Sequence, residues 1–166
     1  MSMTPRQCEI AAEAYTTSLL AQCGYDVLVQ YGANQPEYDL VADRSNRMMR
    51  ISVKGSQDGG WMLAVGHKAA GVSYHDAIDL WRAKHRAETV FFFVQFLGVA
   101  IGELPRVYVA QPDEIAAQLK SQRAGVGYGA LIEERRRRSP KSKYDERIPA
   151  AWEFSQSRID AIAALR

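Results

Sequence analysis

Residues 88–98, ETVFFFVQFLG, most constrain the fold of this 166-residue chain. The segment is a continuous run of β-branched and aromatic residues. Such a run is typical of a strand that is buried on both faces in the middle of a sheet. A strand of this kind needs helices on both sides of its sheet, so the sequence predicts an α/β fold.

The rest of the chain supplies the other elements of such a fold. Apolar residues at helical spacing, together with helix-start signals, predict helices over residues 4–24, 73–86, 111–122 and 155–165. Further strands are predicted at 25–31, 38–41, 48–53, 61–65 and 106–110. We therefore expect one domain over residues 1–166, with a central mixed sheet of about five strands flanked by helices. A flexible basic loop over about 123–147 is expected before the C-terminal helix.

The predicted hairpin at residues 38–54 carries two charged side chains of opposite sign. Asp39 lies in its first strand, and Lys54 comes at the end of its second strand. Side chains alternate between the faces of a strand, so Ser52 and Lys54 share one face. The hairpin should bring a carboxylate and an ammonium group towards the same end of the sheet. That combination suits a metal ion and a phosphate.

These residues also form a motif. Pro36-Glu37-Tyr38-Asp39 is followed by Ser52-Val53-Lys54, with 15 residues from Asp39 to Lys54. The pattern resembles the PD-(D/E)XK nuclease superfamily, also called the restriction-endonuclease-like fold. The resemblance implies metal-dependent hydrolysis of DNA phosphodiester bonds, as in restriction, repair or recombination. It implies that Asp39 and the backbone carbonyl of Val53 bind Mg²⁺ or Mn²⁺, and that Lys54 orients or activates the attacking water.

The motif departs from the family at Ser52, which stands where an acidic residue is usual. In one branch of the family a helix glutamate lies eleven residues before a Gly-aromatic pair, and Glu13 has that spacing to Gly24-Tyr25. Glu13 is therefore the candidate for the missing metal ligand. The alternative is that Glu13 and the neighbouring Glu9 are ordinary helix-surface residues. Gln57 is a further candidate for holding the water or the phosphate, or else a turn residue.

Contacts with DNA are expected from local groups of cations, because the net charge of the chain is only +2. Six cations occur within nine positions and could bind phosphates without reading base sequence: Arg135, Arg136, Arg137, Arg138, Lys141 and Lys143. Lys68 could also meet a phosphate, and Tyr128 and Tyr144 could stack on bases. The competing interpretation is a solvated basic loop and an ordinary surface lysine.

Other classes of site are not indicated. The three histidines lack metal-ligand spacing, so no zinc site is expected. The two cysteines are interpreted as reduced apolar residues, and the absence of a signal peptide or membrane span predicts a cytoplasmic location. The family resemblance also allows a homodimer.

Three hypotheses stay open from the sequence. The first is a magnesium-dependent DNA nuclease. The second is a nuclease-fold protein that binds nucleic acid without cleaving it, because of Ser52. The third is an unrelated α/β protein in which Asp39 and Lys54 form a structural ion pair.

Overall fold

The computed structural model describes residues 2–29, 37–135 and 146–165, with the side chain of Arg135 outside this description. Its helices are α1 (Pro5–Gln22), α2 (Tyr74–Ala83), α3 (Pro112–Ser121) and α4 (Gln156–Ala163). α1 begins with a capping box in which the Thr4 hydroxyl accepts a hydrogen bond from the Gln7 amide. Ser73 and Asp76 form the predicted capping box of α2.

A five-stranded mixed sheet forms the centre of the fold, in the order β1-β2-β3-β5-β6. β3 and β5 are parallel, and the other neighbours are antiparallel. The predicted α/β fold class, with about five strands in a mixed sheet between helices, is confirmed. The strands in chain order are β1 (Asp26–Val29), β2 (Leu40–Arg44), β3 (Arg47–Ser56), β4 (Gly60–Met62), β5 (Val90–Gln95), β6 (Arg106–Ala110), β7 (Ala130–Ile132), β8 (Glu134–Arg135) and β9 (Glu146–Arg147).

β5 is buried along its whole length, as its apolar sequence predicts. Phe92 packs into a core with residues of α1 and α4 on one face of the sheet. Phe91 and Phe93 pack on the other face, against residues of α2 and α3. The two-residue period of a strand therefore divides one aromatic run between two cores.

The two strands of the hairpin differ in length, and this difference creates an open edge. The pairing of β2 with β3 ends at Leu40 and Ile51, whereas β3 continues to Ser56 alongside β5. Residues 52–56 therefore have a strand on one side only. α1 lies close over this part of β3, since a Cβ atom on Gly55 would come within 2.7 Å of the Cys8 carbonyl oxygen.

The segment expected to be a loop contains short strands. β7 pairs with β4, and β8 pairs with β9. Burial of Ala130 and Leu131 in the second core explains why this part of the segment is ordered as a strand. Pro36, Tyr144 and every member of the basic run after Arg135 lie outside the described residues. Within the described ranges, no helix has the length and apolar character needed to cross a lipid bilayer.

Candidate active site

Asp39 lies at the point where β2 stops and β3 continues. Its backbone amide donates a hydrogen bond to the Ile51 carbonyl at 2.8 Å, which is the last backbone contact across the pair. Its carboxylate oxygen Oδ2 accepts a hydrogen bond from the Val53 amide at 2.6 Å. The side chain thus satisfies the first free amide of the open edge through a charge-assisted hydrogen bond. The second oxygen, Oδ1, accepts no hydrogen bond from the residues that the structure describes.

Ser52 contacts the same carboxylate. Its hydroxyl lies 3.5 Å from Asp39 Oδ2, at the outer limit of a hydrogen bond, and the residue is 2% exposed. The position at which the motif usually carries an acid therefore faces Asp39. An acidic side chain at position 52 would place two carboxylates side by side.

Glu13 brings a second carboxylate to this region from α1. Burial raises the pKa of Glu13, and the negative charges of Asp39 and Glu9 raise it further. Arg6 and Lys54 act in the opposite direction. The charges of Asp39 and Lys54 therefore both act on the Glu13 carboxyl, and its role as a metal ligand stays a prediction.

The two glutamates of α1 have different surroundings. Glu9 forms an ion pair with Arg6 at 2.8 Å on the exposed side of the helix. Glu13 is half-buried, and its carboxylate has no hydrogen bond or ion pair within the described ranges. A half-buried carboxylate without a partner is costly unless a cation or water satisfies it. Glu13 is therefore the better of the two as a ligand.

Lys54 presents an unpaired amine beside these carboxylates. Its carbonyl accepts a hydrogen bond of 2.8 Å from the Trp61 indole, which fixes the backbone. Its Nζ has no ion pair or hydrogen bond in the part of the chain that the structure describes. Asp39 and Lys54 therefore do not form the ion pair that the third hypothesis assigned to them.

An open cleft of about 630 Å³ runs beside Lys54. Its walls come from the start of α1, the end of β3 and β4. Lining residues include Glu9, Val53, Lys54, Gln57 and Leu63. Lys54 thus forms part of the wall of this cleft.

Gln57 lines the cleft, but its amide already has partners. It accepts a hydrogen bond from the Met3 amide at 3.0 Å and donates one to the Met3 carbonyl at 2.6 Å. The side chain thus ties the N-terminal segment to the end of β3. Its contact with water or phosphate stays a prediction.

The oxygen atoms at the open edge match the chemistry of a magnesium ligand set. The N–H and C=O groups of one strand residue point to the same side, so the Val53 carbonyl faces the edge that Asp39 covers. With Glu13 and Asp39 this gives two carboxylates and one carbonyl, all hard oxygen donors. The described residues contain no group of three or more His, Cys, Asp or Glu placed to hold a metal. Two carboxylates and one carbonyl would leave the other coordination positions of a divalent ion to water.

Comparisons with known proteins add a structural likeness only. The sequence matches no model of a known protein family, and it matches no curated protein. Among solved structures, the chain is similar to a bacterial homing endonuclease, I-Ssp6803I, with a TM-score of 0.49 and 16% sequence identity. The match covers 99% of this chain and 96% of that one. We base the function on the residues of the site.

Glu37 was not predicted as a site residue, although it belongs to the same motif. Its carboxylate accepts hydrogen bonds of 2.6 Å from the Arg86 amide and from the Thr89 hydroxyl. It also lies 3.5 Å from His85 Nδ1. Glu37 thereby fastens the chain two residues before Asp39 to the turn that leads into β5. Its place in the motif was the available signal, but only the fold reveals the partners.

The charges of Glu37 and Lys54 both act on the His85 imidazole. Burial lowers the pKa of this imidazole, Glu37 opposes that effect, and Lys54 lowers the pKa further. The ring packs on Trp81, with 4.7 Å between ring centroids, and on Phe91. His85 is thus a packed structural residue, in agreement with the sequence interpretation.

Asp76 and Asp79 are the acidic residues of α2, and both have partners outside the candidate site. Asp76 caps α2, and Asp79 pairs with Lys120 at 2.6 Å. Of the predicted DNA-contacting residues, Lys68 is described and exposed. The other predicted phosphate contacts lie outside the described residues. These are the side chain of Arg135 and the whole of Arg136, Arg137, Arg138, Lys141 and Lys143.

Proposed function

We propose that this protein is a metal-dependent nuclease that hydrolyses DNA phosphodiester bonds, of the PD-(D/E)XK type and with a restriction-endonuclease-like fold. The observation that supports the proposal is the Asp39 carboxylate bound to the Val53 amide where β3 extends beyond β2, with the charges of Asp39 and Lys54 both acting on Glu13. A carboxylate pair next to an accessible ammonium group can hold a cation against an anionic substrate. Such groups stabilise the charge that develops during phosphoryl transfer.

The roles of the residues follow from their positions. Glu13, Asp39 and the Val53 carbonyl would hold Mg²⁺ or Mn²⁺. When bound, such an ion lowers the pKa of a coordinated water and neutralises charge on the phosphate. Lys54 would donate hydrogen bonds to the attacking water or to a phosphate oxygen from the side of the cleft. Asp39 is held in place by the Val53 amide, so its free oxygen keeps one orientation.

A cleavage assay with paired variants tests this function. Plasmid and branched DNA would be incubated with MgCl₂ or MnCl₂, using wild type, Asp39→Asn and Lys54→Ala. Both variants should lower the rate by about two orders of magnitude or more, because each removes charge at the reacting phosphate. Lys84→Ala is the matched control, since Lys84 is an exposed lysine at the end of α2. Equal rates for Lys54→Ala and Lys84→Ala would overturn the proposed role of Lys54.

A second candidate function is binding of DNA without cleavage. The observation that favours it is Ser52, whose hydroxyl occupies the place beside Asp39 where a further carboxylate would strengthen metal binding. In that case wild type would bind DNA in a salt-dependent manner, and no divalent metal would produce cleavage. The assay above separates the two functions directly.

A further inference from the structure

Two cations lie on a pair of tyrosine rings at the surface near α2. The guanidinium carbon of Arg123 is 3.9 Å from the centroid of the Tyr128 ring and 5.6 Å from that of Tyr74. The Nζ of Lys68 is 5.4 Å from the same Tyr74 centroid. The two rings meet edge to face, with 5.9 Å between centroids. We call Lys68, Tyr74, Arg123 and Tyr128 the tyrosine–cation cluster.

The backbone that carries Arg123 is held in an unusual conformation. Arg123 and Ala124 have φ angles of 55° and 53°, in the left-handed region that side chains other than glycine seldom adopt. The Arg123 amide donates a hydrogen bond to the Glu146 carboxylate, and His75 Nε2 contacts the Gly125 carbonyl at 2.8 Å. The turn is thus fixed from two sides. Such conformations persist where the surrounding structure over-determines them, and they are common at ligand-binding sites.

The cluster places two positive charges around one aromatic ring. Neither the Arg123 guanidinium nor the Lys68 amine has an ion pair or hydrogen bond among the residues with described side chains. The nearby Glu146 carboxylate binds the backbone amide of Arg123. Both positive charges lie within 5.6 Å of the Tyr74 ring centroid, and a bound anion would offset the repulsion between them. A guanidinium stacked on a ring keeps its edge N–H groups available for a phosphate.

The cluster lies next to the candidate active site. Leu63 lines the cleft that contains Lys54, and its amide donates a hydrogen bond of 3.1 Å to the Gly129 carbonyl. Tyr128 precedes Gly129, so its Cα is about 3.8 Å further on. A nucleic-acid backbone that leaves the cleft past Leu63 would therefore run towards the cluster.

We propose that the tyrosine–cation cluster binds backbone phosphates of the DNA on one side of the cleavage site. This inference rests on the proposed function, since it takes DNA as the ligand of the cleft. The cluster provides two positive charges beside two aromatic rings. Its cations can bind phosphate whatever the base sequence. It therefore contributes affinity and orientation, while Asp39 and Lys54 act at the scissile bond.

Salt-dependent DNA binding tests the cluster. Binding of a fluorescent DNA duplex would be measured by anisotropy over a range of NaCl concentrations, in the Lys54→Ala background so that the DNA stays intact. Each lost phosphate contact should reduce the slope of log K against log[salt] by about 0.9. The double variant Lys68→Gln/Arg123→Gln should therefore lose about two units of slope.

Matched variants distinguish the cluster from general charge. Arg47→Gln removes one exposed arginine at the far end of β3 and should leave both affinity and slope nearly unchanged. Arg123→Lys keeps the charge and should retain most of the slope. Thermal unfolding of each variant would confirm that the fold is intact. If Arg123→Gln unfolds, Lys68→Gln alone provides the readout, since it should lose about one unit of slope.

The possible results separate this inference from the proposed function. If wild type cleaves DNA but the double variant has the slope of Arg47→Gln, the inference is wrong and the nuclease function stands. That result would also be expected if the cluster bound an acidic peptide. If wild type fails to cleave but the double variant loses slope, the phosphate surface stands and the catalytic proposal is wrong. Absence of DNA binding by wild type would overturn both.

Discussion

Introducing the acid that the motif lacks, by Ser52→Asp, gives the sharpest test of the metal site. The Ser52 hydroxyl lies 3.5 Å from Asp39 Oδ2, so a carboxylate at position 52 would lie beside that of Asp39. Without metal the two charges repel each other in a site where Ser52 is 2% exposed. With metal, the same two groups become ligands of one cation. The variant should therefore depend on metal for its stability.

The size of the effect follows from this distance. Two carboxylates about 4 Å apart repel by about 4 kcal/mol at an effective dielectric constant of about 20. The repulsion could also be relieved by protonating one of the two carboxyl groups. At pH 7 this costs a similar amount, about 4 kcal/mol, because each pH unit above the ordinary pKa of the carboxyl adds about 1.36 kcal/mol. Without metal, the free energy of unfolding of Ser52→Asp should thus be about 3–4 kcal/mol below that of Ser52→Asn. Asparagine has nearly the same volume, so the difference isolates the charge.

Urea unfolding followed by tryptophan fluorescence would measure this difference in EDTA and in excess MgCl₂. A metal at 100 times its Kd adds about 2.7 kcal/mol to a protein that binds it only when folded. The aspartate variant has one more carboxylate ligand and so the lower Kd, and Mg²⁺ at a concentration that saturates it but not the asparagine variant should therefore close most of the gap between them. A gap of the same size in EDTA and in MgCl₂ would refute the reasoning, since position 52 would then share no cation with Asp39.

Three further predictions concern contacts that stabilise the fold. Gly55→Ala should lower the free energy of unfolding by about 1–3 kcal/mol, because the new Cβ would meet the Cys8 carbonyl at 2.7 Å. Gly66→Ala, with no atom within 4 Å of the new Cβ, is its control in urea unfolding, and equal effects would contradict the close packing. Glu37→Gln should cost about 1–3 kcal/mol, since it weakens two short hydrogen bonds to the carboxylate, and should also weaken Mg²⁺ binding in calorimetric titration. Unchanged metal affinity would show that this residue does not position the motif. Arg44 donates a hydrogen bond to the Asp160 carboxylate, and this lowers the pKa of Asp160. The stabilisation that this contact gives the fold is therefore present above the unfolded-state pKa and is lost as pH falls through the folded-state pKa. The melting temperature of Asp160→Asn should therefore decline less steeply below about pH 4 than that of wild type. An equally steep decline would show that titration of Asp160 does not contribute to the loss of stability in acid.

The parts of the fold that could be predicted are those determined by local pattern. The apolar run around Phe92 predicted the buried central strand, because alternate side chains must enter two cores. The motif predicted that Asp39 and Lys54 lie near each other, because both belong to one hairpin. Glu13 was chosen from a spacing that the family resemblance implies, and its role as a ligand stays a prediction.

The parts that could not be predicted depend on contacts between distant segments. Glu37 binds the Thr89 hydroxyl, which is 52 residues away in the sequence. Arg123 meets Tyr74 only because α3 packs beside α2. No periodicity or composition marks such pairs, since each partner taken alone is an ordinary polar or aromatic residue in the sequence. For the same reason β7 was missed: its three residues form a strand only because β4 lies alongside.

The unequal length of the two hairpin strands has a consequence for how such sites evolve. The open edge begins at Ile51, where β2 ends and β3 continues, and the main-chain amide of Val53 holds Asp39 there. We expect that negative charge can then be supplied either from position 52 or from the helix above it, with the place of the cation preserved. Searches for related proteins should therefore ask for an aspartate at the end of the shorter strand and a lysine–glycine pair on the longer one. A search that insists on an acid two positions before the lysine would pass over chains like this one.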